Sequence, residues 1–186
     1  ICVNYKIKSL GFNPKVYLID KNEIAGNLPN RAKNRILKLL DENNIILRKN
    51  INISSITKGK IHCEDGEIIS SDFILRAAGG IPQNWLSNTD LNLEKGFISI
   101  NQCLQSTSHD FVFASGDCAS IVNNPKQKAG IFAVRAAPFL YRNIKNYISS
   151  KKLIKYNPQK NFLQALTIDN KKALLFWGNF SIYGIL

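Results

Sequence analysis

The sequence contains no methionine at any of its 186 positions, the first included. We therefore expect that Ile1 is not a natural translation start. Two explanations stay open at this point: the chain is a fragment, or modified methionines were left out of the written sequence. The chain also stops at Leu186 without a polar tail, which predicts a second truncation.

Long apolar segments and paired cysteines are missing as well. No run of about 18 apolar residues occurs, and the N-terminus lacks the charged and apolar segments of a signal peptide. The sequence therefore predicts a cytoplasmic protein and leaves open a peripheral contact with the inner face of the membrane. The cysteines are far apart and form no Cys-x-x-Cys pair, so we expect reduced thiols and no metal site. They are Cys2, Cys63, Cys103 and Cys118.

Acidic residues are in short supply, since 13 Asp and Glu stand against 25 Lys and Arg and the formal net charge is +12. The basic residues are scattered along the chain, which favours a solvated surface first. Attraction to anionic lipid or to phosphate-bearing cofactors comes second. Nucleic acid comes last, and we expect none as a partner, because no recognition motif or interleaved aromatic platform is present.

The first 20 residues predict half of a βαβ unit. Residues 1–10 are predicted to form a helix closed by Gly11, and residues 15–19 a strand that ends at Asp20. In dinucleotide-binding folds, an acid about 20 residues after a Gly-x-Gly-x-x-Gly turn binds the ribose hydroxyls. No Gly-x-Gly occurs in this chain, so the spacing places that turn just before Ile1. Asp20 is a candidate ribose ligand, and an ordinary turn residue is the alternative.

The next segment predicts an amphipathic helix and a meander of short strands. Residues 31–43 carry apolar side chains at helical spacing and basic side chains on the remaining face. Short strands follow over residues 45–69, joined by a hairpin turn. Residues 72–78 are predicted as a buried strand that runs into the glycine pair at 79–80, for which a loop is the simplest interpretation.

Residues 106–119 are the most informative stretch. Residues 111–114 are predicted as a short buried strand that stops at Gly116, where the backbone can turn or let a ligand approach. Asp117 follows at the carboxyl end of the strand, the edge at which α/β sheets bind ligands, and a carboxylate accepts hydrogen bonds from polyol hydroxyls. A turn or capping aspartate is the alternative.

The last third predicts a long helix and a hairpin. A helix is predicted over residues 131–149, with Pro138 kinking it without ending it. Its N-terminus offers backbone N–H groups and the positive end of the helix dipole, which suit a phosphate or an electron-rich ring edge. An ordinary helix start is an equally good interpretation. Residues 163–168 and 173–177 predict a hairpin.

Together these motifs resemble the pyridine nucleotide-disulfide oxidoreductase superfamily. The Ser/Thr-rich lead-in, apolar strand and Ala-x-Gly-Asp of residues 106–117 are similar to its second flavin-binding motif. Residues 77–82 resemble the passage from the nicotinamide domain to the flavin domain, with Ala78 where that pattern has Thr. Residues 128–135, Lys-x-Gly-x-x-Ala-Val-Arg, resemble a segment that lies against the flavin ring. The most similar branch includes type II NADH dehydrogenases and flavoproteins fused to selenide, water dikinase.

The resemblance implies an α/β fold. The chain would be part of a Rossmann-like flavoprotein with two dinucleotide-binding domains, FAD/NAD(P)-binding, and a small antiparallel C-terminal portion. Residues 1–80 would belong to the NAD(H)-binding domain, 81–150 to the FAD-binding domain and 151–186 to the C-terminal portion. The implied cofactor contacts fall into two groups. They are Gly116, Asp117, Lys128, Gly130 and Ile131 for FAD, and Asp20, Gly79 and Gly80 for NAD.

The implied activity is hydride transfer from NADH to FAD and electron delivery to a quinone or another acceptor. No protein side chain is implied as catalytic, because the flavin carries the chemistry. The fragment alone is expected to be inactive, and a homodimer is left open. The alternative is a non-catalytic nucleotide-binding or interaction module derived from such a flavoprotein.

Overall fold

The structure, a computed structural model, describes residues 1–26, 28–77, 79–169 and 171–185. Within these residues the chain forms three α-helices and eleven strands. The helices are α1 (Cys2–Ser9), α2 (Asn30–Glu42) and α3 (Gly130–Ile148). The strands are β1 (Val16–Ile19), β2 (Ile45–Arg48), β3 (Ile53–Thr57), β4 (Lys60–Cys63), β5 (Ile68–Ser70), β6 (Leu93–Glu94), β7 (Phe97–Ile100), β8 (Ala119–Ile121), β9 (Gln164–Thr167), β10 (Lys172–Trp177) and β11 (Phe180–Ile185).

The chain divides into two compact units, and the first combines Ile1–Arg76 with Asn161–Leu186. The predicted helix and strand at the N-terminus are confirmed as α1 and β1. Gly11, at φ +85°, ends the helix turn, because its N–H donates to the carbonyl of Lys8 at 3.0 Å. β1 pairs in parallel with β2, so that Asp20 follows the carboxyl end of a sheet strand.

Within the first unit, α2 packs against the C-terminal sheet. The helix buries Ala32 and Leu39 against Leu174 and Phe176 of β10. β10 pairs antiparallel with β9 on one side and β11 on the other, which confirms the small antiparallel C-terminal portion. β3, β4 and β5 form the predicted antiparallel meander. The periodic apolar residues of α2 therefore identified both the helix and the face that it buries.

The predicted buried strand over residues 72–78 is wrong for residues 72–77, which form no strand, and Ala78 lies outside the described residues. Phe73 and Leu75 are 69% and 66% exposed. An apolar run becomes a buried strand only where a neighbouring strand accepts its N–H and C=O groups. In the described part of the first unit, β1 pairs only with β2, so residues 72–77 have no such ladder.

The second unit, Ala77–Lys160, contains a sheet in which β7 lies between β6 and β8. β7 and β8 run parallel, with Ile98 opposite Ala119. α3 covers the core of this unit through the buried Ala136. The predicted helix is confirmed to within about one residue, and it continues through Pro138. None of the described helices is long and apolar enough to cross a membrane.

The predicted buried strand over residues 111–114 is corrected by the structure. Only Phe113 forms a β-bridge, to Gln105, while Phe111 is 66% exposed and Ala114 is buried. The parallel neighbour of β7 is β8, which follows Asp117 in sequence instead of preceding it. The strand that pairs with β7 is therefore formed by residues 119–121 and not by the apolar run at residues 111–114.

Candidate functional site

The turn that carries Asp117 is a short 3₁₀ helix, Gly116–Cys118, between residue 114 and β8. Gly116 has φ +72°, a conformation that glycine adopts without strain. A Cβ on Gly116 would lie 3.2 Å from the Cβ of Ala133 in α3. The glycine therefore serves two purposes, since it permits the turn and lets the turn pack closely against the helix.

The Asp117 side chain is exposed at this turn. The neighbouring Cys118 thiol donates to the carbonyl of Ser115 at 3.2 Å, which closes the turn below it. An exposed carboxylate offers two acceptor oxygens to a ligand without the cost of removing a buried charge from water. The turn thus presents a hydrogen-bond acceptor at the surface.

Lys128 lies beside this turn and is half-buried. Its ammonium donates to the carbonyl of Ala119 and lies 3.8 Å from the centre of the Phe97 ring. Burial lowers the pKa of Lys128, while the negative charges of Asp117, Cys118 and Glu94 act in the opposite direction. The ammonium of Lys128 therefore contacts both Ala119 of β8 and Phe97 of β7. It also places a positive charge near the carboxylate of Asp117.

A small cleft joins these groups within the second unit. Its polar wall includes Asp117, Lys126 and Lys128, and its apolar floor includes Ile100 and Leu104. The space in it that water can reach is about 40 Å³, enough for roughly two or three water molecules. A ligand the size of a cofactor would therefore lie across the mouth of the cleft, over the Asp117 turn.

The first turn of α3 borders the same cleft. The residue before the helix, Ala129, has no side-chain acceptor for the first amides, and Gly130 is exposed. Helix N-termini present backbone N–H groups and a partial positive charge. Together with Lys126 and Lys128, this end of α3 gives the cleft a positive electrostatic character next to a single carboxylate.

Three of the five residues predicted to contact FAD line the cleft: Gly116, Asp117 and Lys128. Gly130 and Ile131 follow directly at the start of α3 but do not line it. Gly80, predicted for NAD, packs against the stem of Lys128, since a Cβ there would lie 3.8 Å from that of Lys128. Gly79 has φ +69°, and the described residues leave open space around it.

Asp20 belongs to the first unit and has a local role. Its carboxylate accepts a hydrogen bond from the backbone N–H of Asn22 at 2.8 Å, which is an Asx turn. Its own backbone bonds to Arg48 and Ile51 at the end of β2. This hydrogen bond supports the interpretation of Asp20 as a turn residue. The side chain is also exposed to solvent, as a ribose ligand would need to be.

The sequence missed two residues of the cleft. Tyr156 is buried beneath it, donates to the carbonyl of Phe132 at 3.4 Å, and has a raised pKa because of burial. No sequence pattern identifies it, because it follows α3 in an irregular basic segment. Lys126 had a usable signal, since it precedes Lys128 by two residues in a polar loop that leads into a helix.

One other polar cluster lies in the first unit. The side chains of Cys63, Asp65 and Glu67 bring ligand atoms within 4.8 Å of one another. Glu67, however, forms an ion pair with Arg48 at 2.5 Å. Burial raises the pKa of the Cys63 thiol, which disfavours the thiolate that a metal would require. The cluster is accounted for by the ion pair and by packing of Cys63 in the meander.

Comparison with known proteins identifies the family. The profile of the family described as pyridine nucleotide-disulphide oxidoreductase matches residues 5–138, more than half of the chain. The chain belongs to this family of oxidoreductases. No curated protein matches the sequence.

A solved structure with a similar fold is the sulfide:quinone oxidoreductase from the hyperthermophilic bacterium Aquifex aeolicus. The TM-score is 0.74 and the sequence identity 18%, over 98% of this chain and 49% of that chain. The chain thus spans about half the length of that protein. The expected Rossmann-like FAD/NAD-binding fold is confirmed at the level of family and fold, whereas the NADH dehydrogenase branch stays a prediction.

Proposed function

We propose that the protein is an FAD-dependent oxidoreductase that accepts hydride from NADH and passes electrons to a quinone or another acceptor. One observation carries the proposal. In a chain of this family, the exposed carboxylate of Asp117, the ammonium of Lys128 and the start of α3 border a single cleft. The carboxylate of Asp117 could accept hydrogen bonds from the hydroxyls of an FAD ribityl chain. The positive N-terminus of α3 lies beside it and could face the electron-rich edge of the flavin ring.

The residues present fit one part of FAD. Asp117 would accept a hydrogen bond from a ribityl hydroxyl, and Gly116 would let the cofactor approach the backbone. The first amides of α3 and the lysines would face the electron-rich part of the ring system. FAD would supply the two-electron chemistry, while these residues bind and orient it. The phosphate-binding Gly-x-Gly-x-x-Gly loop is not part of this sequence.

The nicotinamide side of the proposal involves Asp20, Gly79 and Gly80. Asp20 is an exposed acid at the carboxyl end of a parallel strand, where dinucleotide-binding folds bind ribose. Its charge would repel a 2′-phosphate, which favours NADH over NADPH. Gly79 and Gly80 are exposed and would allow a cofactor close to the backbone.

A quinone is the proposed acceptor because a protein with the same fold is named as a quinone oxidoreductase. The cytoplasmic location, the peripheral membrane contact and the homodimer stay predictions of the sequence.

The test uses the full gene product that contains this chain, reconstituted with FAD and freed of unbound cofactor. We expect flavin absorbance that NADH bleaches under anaerobic conditions and that a soluble quinone restores. Protein that retains no flavin would overturn the proposal. Bound flavin that NADH fails to bleach would instead favour the non-catalytic nucleotide-binding module.

A further inference from the structure

A two-residue turn joins β6 to β7, and its second residue is Gly96. Lys95 and Gly96 have φ of +51° and +82°, which are left-handed conformations typical of a type I′ hairpin turn. Glu94 and Phe97 pair directly on either side of the turn. Glycine adopts such a φ without strain, whereas a residue with a side chain rarely does. The backbone therefore gives one reason for a glycine at this position.

The ring of Pro82 gives a second reason. A Cβ on Gly96 would lie 2.7 Å from Cγ and 2.9 Å from Cβ of Pro82. Carbon atoms that are not bonded to each other pack at about 3.5 to 4.0 Å, so a larger residue at position 96 would displace Pro82 by roughly 1 Å. Gly66, in the turn between β4 and β5, has φ +89° but no atom within 4 Å of such a Cβ. A positive φ therefore does not by itself create this close contact.

Pro82 ends a loop, residues 79–82, that packs against one side of the cleft. A Cβ on Gly80 would lie 3.8 Å from Cβ and 3.9 Å from Cγ of Lys128, which is ordinary van der Waals contact. The ammonium of Lys128 lies 3.8 Å from the centre of the Phe97 ring, in the residue after the turn. The loop is thus held at two points, by the turn at Pro82 and by the stem of Lys128 at Gly80. All of these residues belong to the second unit.

The loop would move more easily than the turn. β7 pairs with β6 on one side and with β8 on the other, whereas residues 79–83 belong to no helix or strand. A side chain at position 96 would therefore push Pro82 away, and the glycine pair at 79–80 would shift with it along the stem of Lys128. The turn between β6 and β7 thus sets the position of the loop.

We propose that Gly96 is a positioning residue which, through Pro82, places the glycine pair at 79–80 beside Lys128. This inference rests on the proposed function, in which the glycine pair contacts NADH and Lys128 belongs to the FAD cleft. Hydride passes from NADH to FAD only if the reacting atoms lie about 3 to 3.5 Å apart. A loop held against Lys128 would bring the nicotinamide to the flavin. A shifted loop would weaken productive NADH binding and leave FAD in place, because Gly96 does not touch the Asp117 turn.

The test uses the full gene product loaded with FAD, as the parent and as Gly96→Ala, Pro82→Gly and the double variant. Anaerobic stopped-flow mixing with NADH gives the limiting rate of flavin bleaching and the NADH concentration at half that rate. We expect both single variants to keep their FAD and to need at least about tenfold more NADH than the parent. Because both act through one contact, the double variant should need far less NADH than the product of the two single effects predicts.

Gly66→Ala is the matched control, because it adds a side chain at a positive φ without displacing a neighbour. It should need the same NADH concentration as the parent, and dithionite, which needs no nucleotide site, should bleach every variant. The proposal is overturned if both single variants keep FAD and need no more NADH than the parent, or if the two single effects simply multiply. Loss of FAD from both single variants would make Gly96 a structural residue only and would overturn it too. A parent that keeps FAD but is not bleached by NADH would overturn the proposed function together with this inference.

Discussion

At the scale of single residues, two aspartates that look alike in the sequence have different surroundings in the structure. Asp20 and Asp117 each lie at a turn next to a sheet strand. The carboxylate of Asp20 accepts a bond from Asn22 and so stabilises its own turn. Asp117 lies instead in a cleft with Lys126 and Lys128. The ligand-binding interpretation is therefore stronger for Asp117 than for Asp20.

Replacement of Asp117 tests this difference. If its carboxylate accepts a hydrogen bond from the ribityl chain, Asp117→Ala removes a contact worth about 1.5 to 3 kcal/mol. FAD affinity should therefore fall roughly 10- to 150-fold, which fluorescence titration of the full gene product measures. The Asp117→Asn variant keeps one acceptor oxygen, so its FAD affinity should fall less. Unchanged FAD affinity combined with a lower melting temperature would make Asp117 a turn residue only.

The burial of Lys128 predicts a pH dependence of stability. Its pKa is lower in the folded protein than the ordinary value of 10.5. The folded state therefore releases this proton before the unfolded state does, and the cost of the buried charge disappears as pH rises through the lowered pKa towards 10.5. We compare the free energy of unfolding of the parent with that of the Lys128→Met variant. The parent's value relative to the variant's should increase between neutral pH and about pH 10. Denaturant titrations at several pH values measure it, and a difference that decreases with pH would contradict the account.

At the scale of elements, α3 is joined to the chain around it by one buried amide. Asn143 is 0% exposed, donates to the carbonyls of Cys103 and Ile154 at 2.8 Å, and accepts from the N–H of Ile154 at 2.7 Å. These bonds tie two irregular segments to the helix that begins at the cleft. Asn143 thereby fixes the position of α3 without contacting the cleft.

Asn143→Ala should lower the free energy of unfolding by about 3 kcal/mol or more, because three buried backbone groups lose their partner. Asn146→Ala is the matched control, since Asn146 is on the same helix and donates one bond, to Lys152 at 2.9 Å. The Asn146→Ala variant should lose about 1 kcal/mol or less in free energy of unfolding. Urea unfolding measures both, and equal losses would refute the role given to Asn143.

The turn at Gly116 provides a second pair of matched variants. Gly116→Ala combines a positive φ with a contact to Ala133 of 3.2 Å, whereas Gly66→Ala has φ +89° and open space around the added carbon. The positive φ alone should cost about 1 to 2 kcal/mol in both. Gly116→Ala should cost more by thermal unfolding and should weaken FAD binding, which Gly66→Ala should not. Equal stability of the two variants would remove the packing argument.

The elements also show how far the sequence alone could be taken. Helical spacing and Gly11 located α1, α2 and α3 to within one or two residues, since these signals are local. The strands predicted over 72–78, in its described part 72–77, and over 111–114 were wrong because an apolar run does not say whether a partner strand is present. The resemblance predicted Gly116, Asp117 and Lys128 as FAD contacts, and in the structure these three residues line one cleft. Tyr156 was missed because it reaches the cleft only through tertiary folding.

At the scale of the whole molecule, the chain is two compact units of an oxidoreductase family whose fold it shares with a sulfide:quinone oxidoreductase. The candidate FAD residues lie in the second unit and Asp20 in the first. In the proposed function, residues 115–132 of the second unit would hold the flavin, and Asp20 of the first unit would contact a ribose hydroxyl of the nicotinamide dinucleotide.

Hydrogen–deuterium exchange with and without FAD, read residue by residue on the full gene product, tests this central claim most directly. The account predicts slower exchange on FAD binding at the amides of residues 115–119 and of 128–132, and no change in the meander of residues 53–70. Bound flavin with unchanged exchange at both the Asp117 turn and the start of α3 would contradict it.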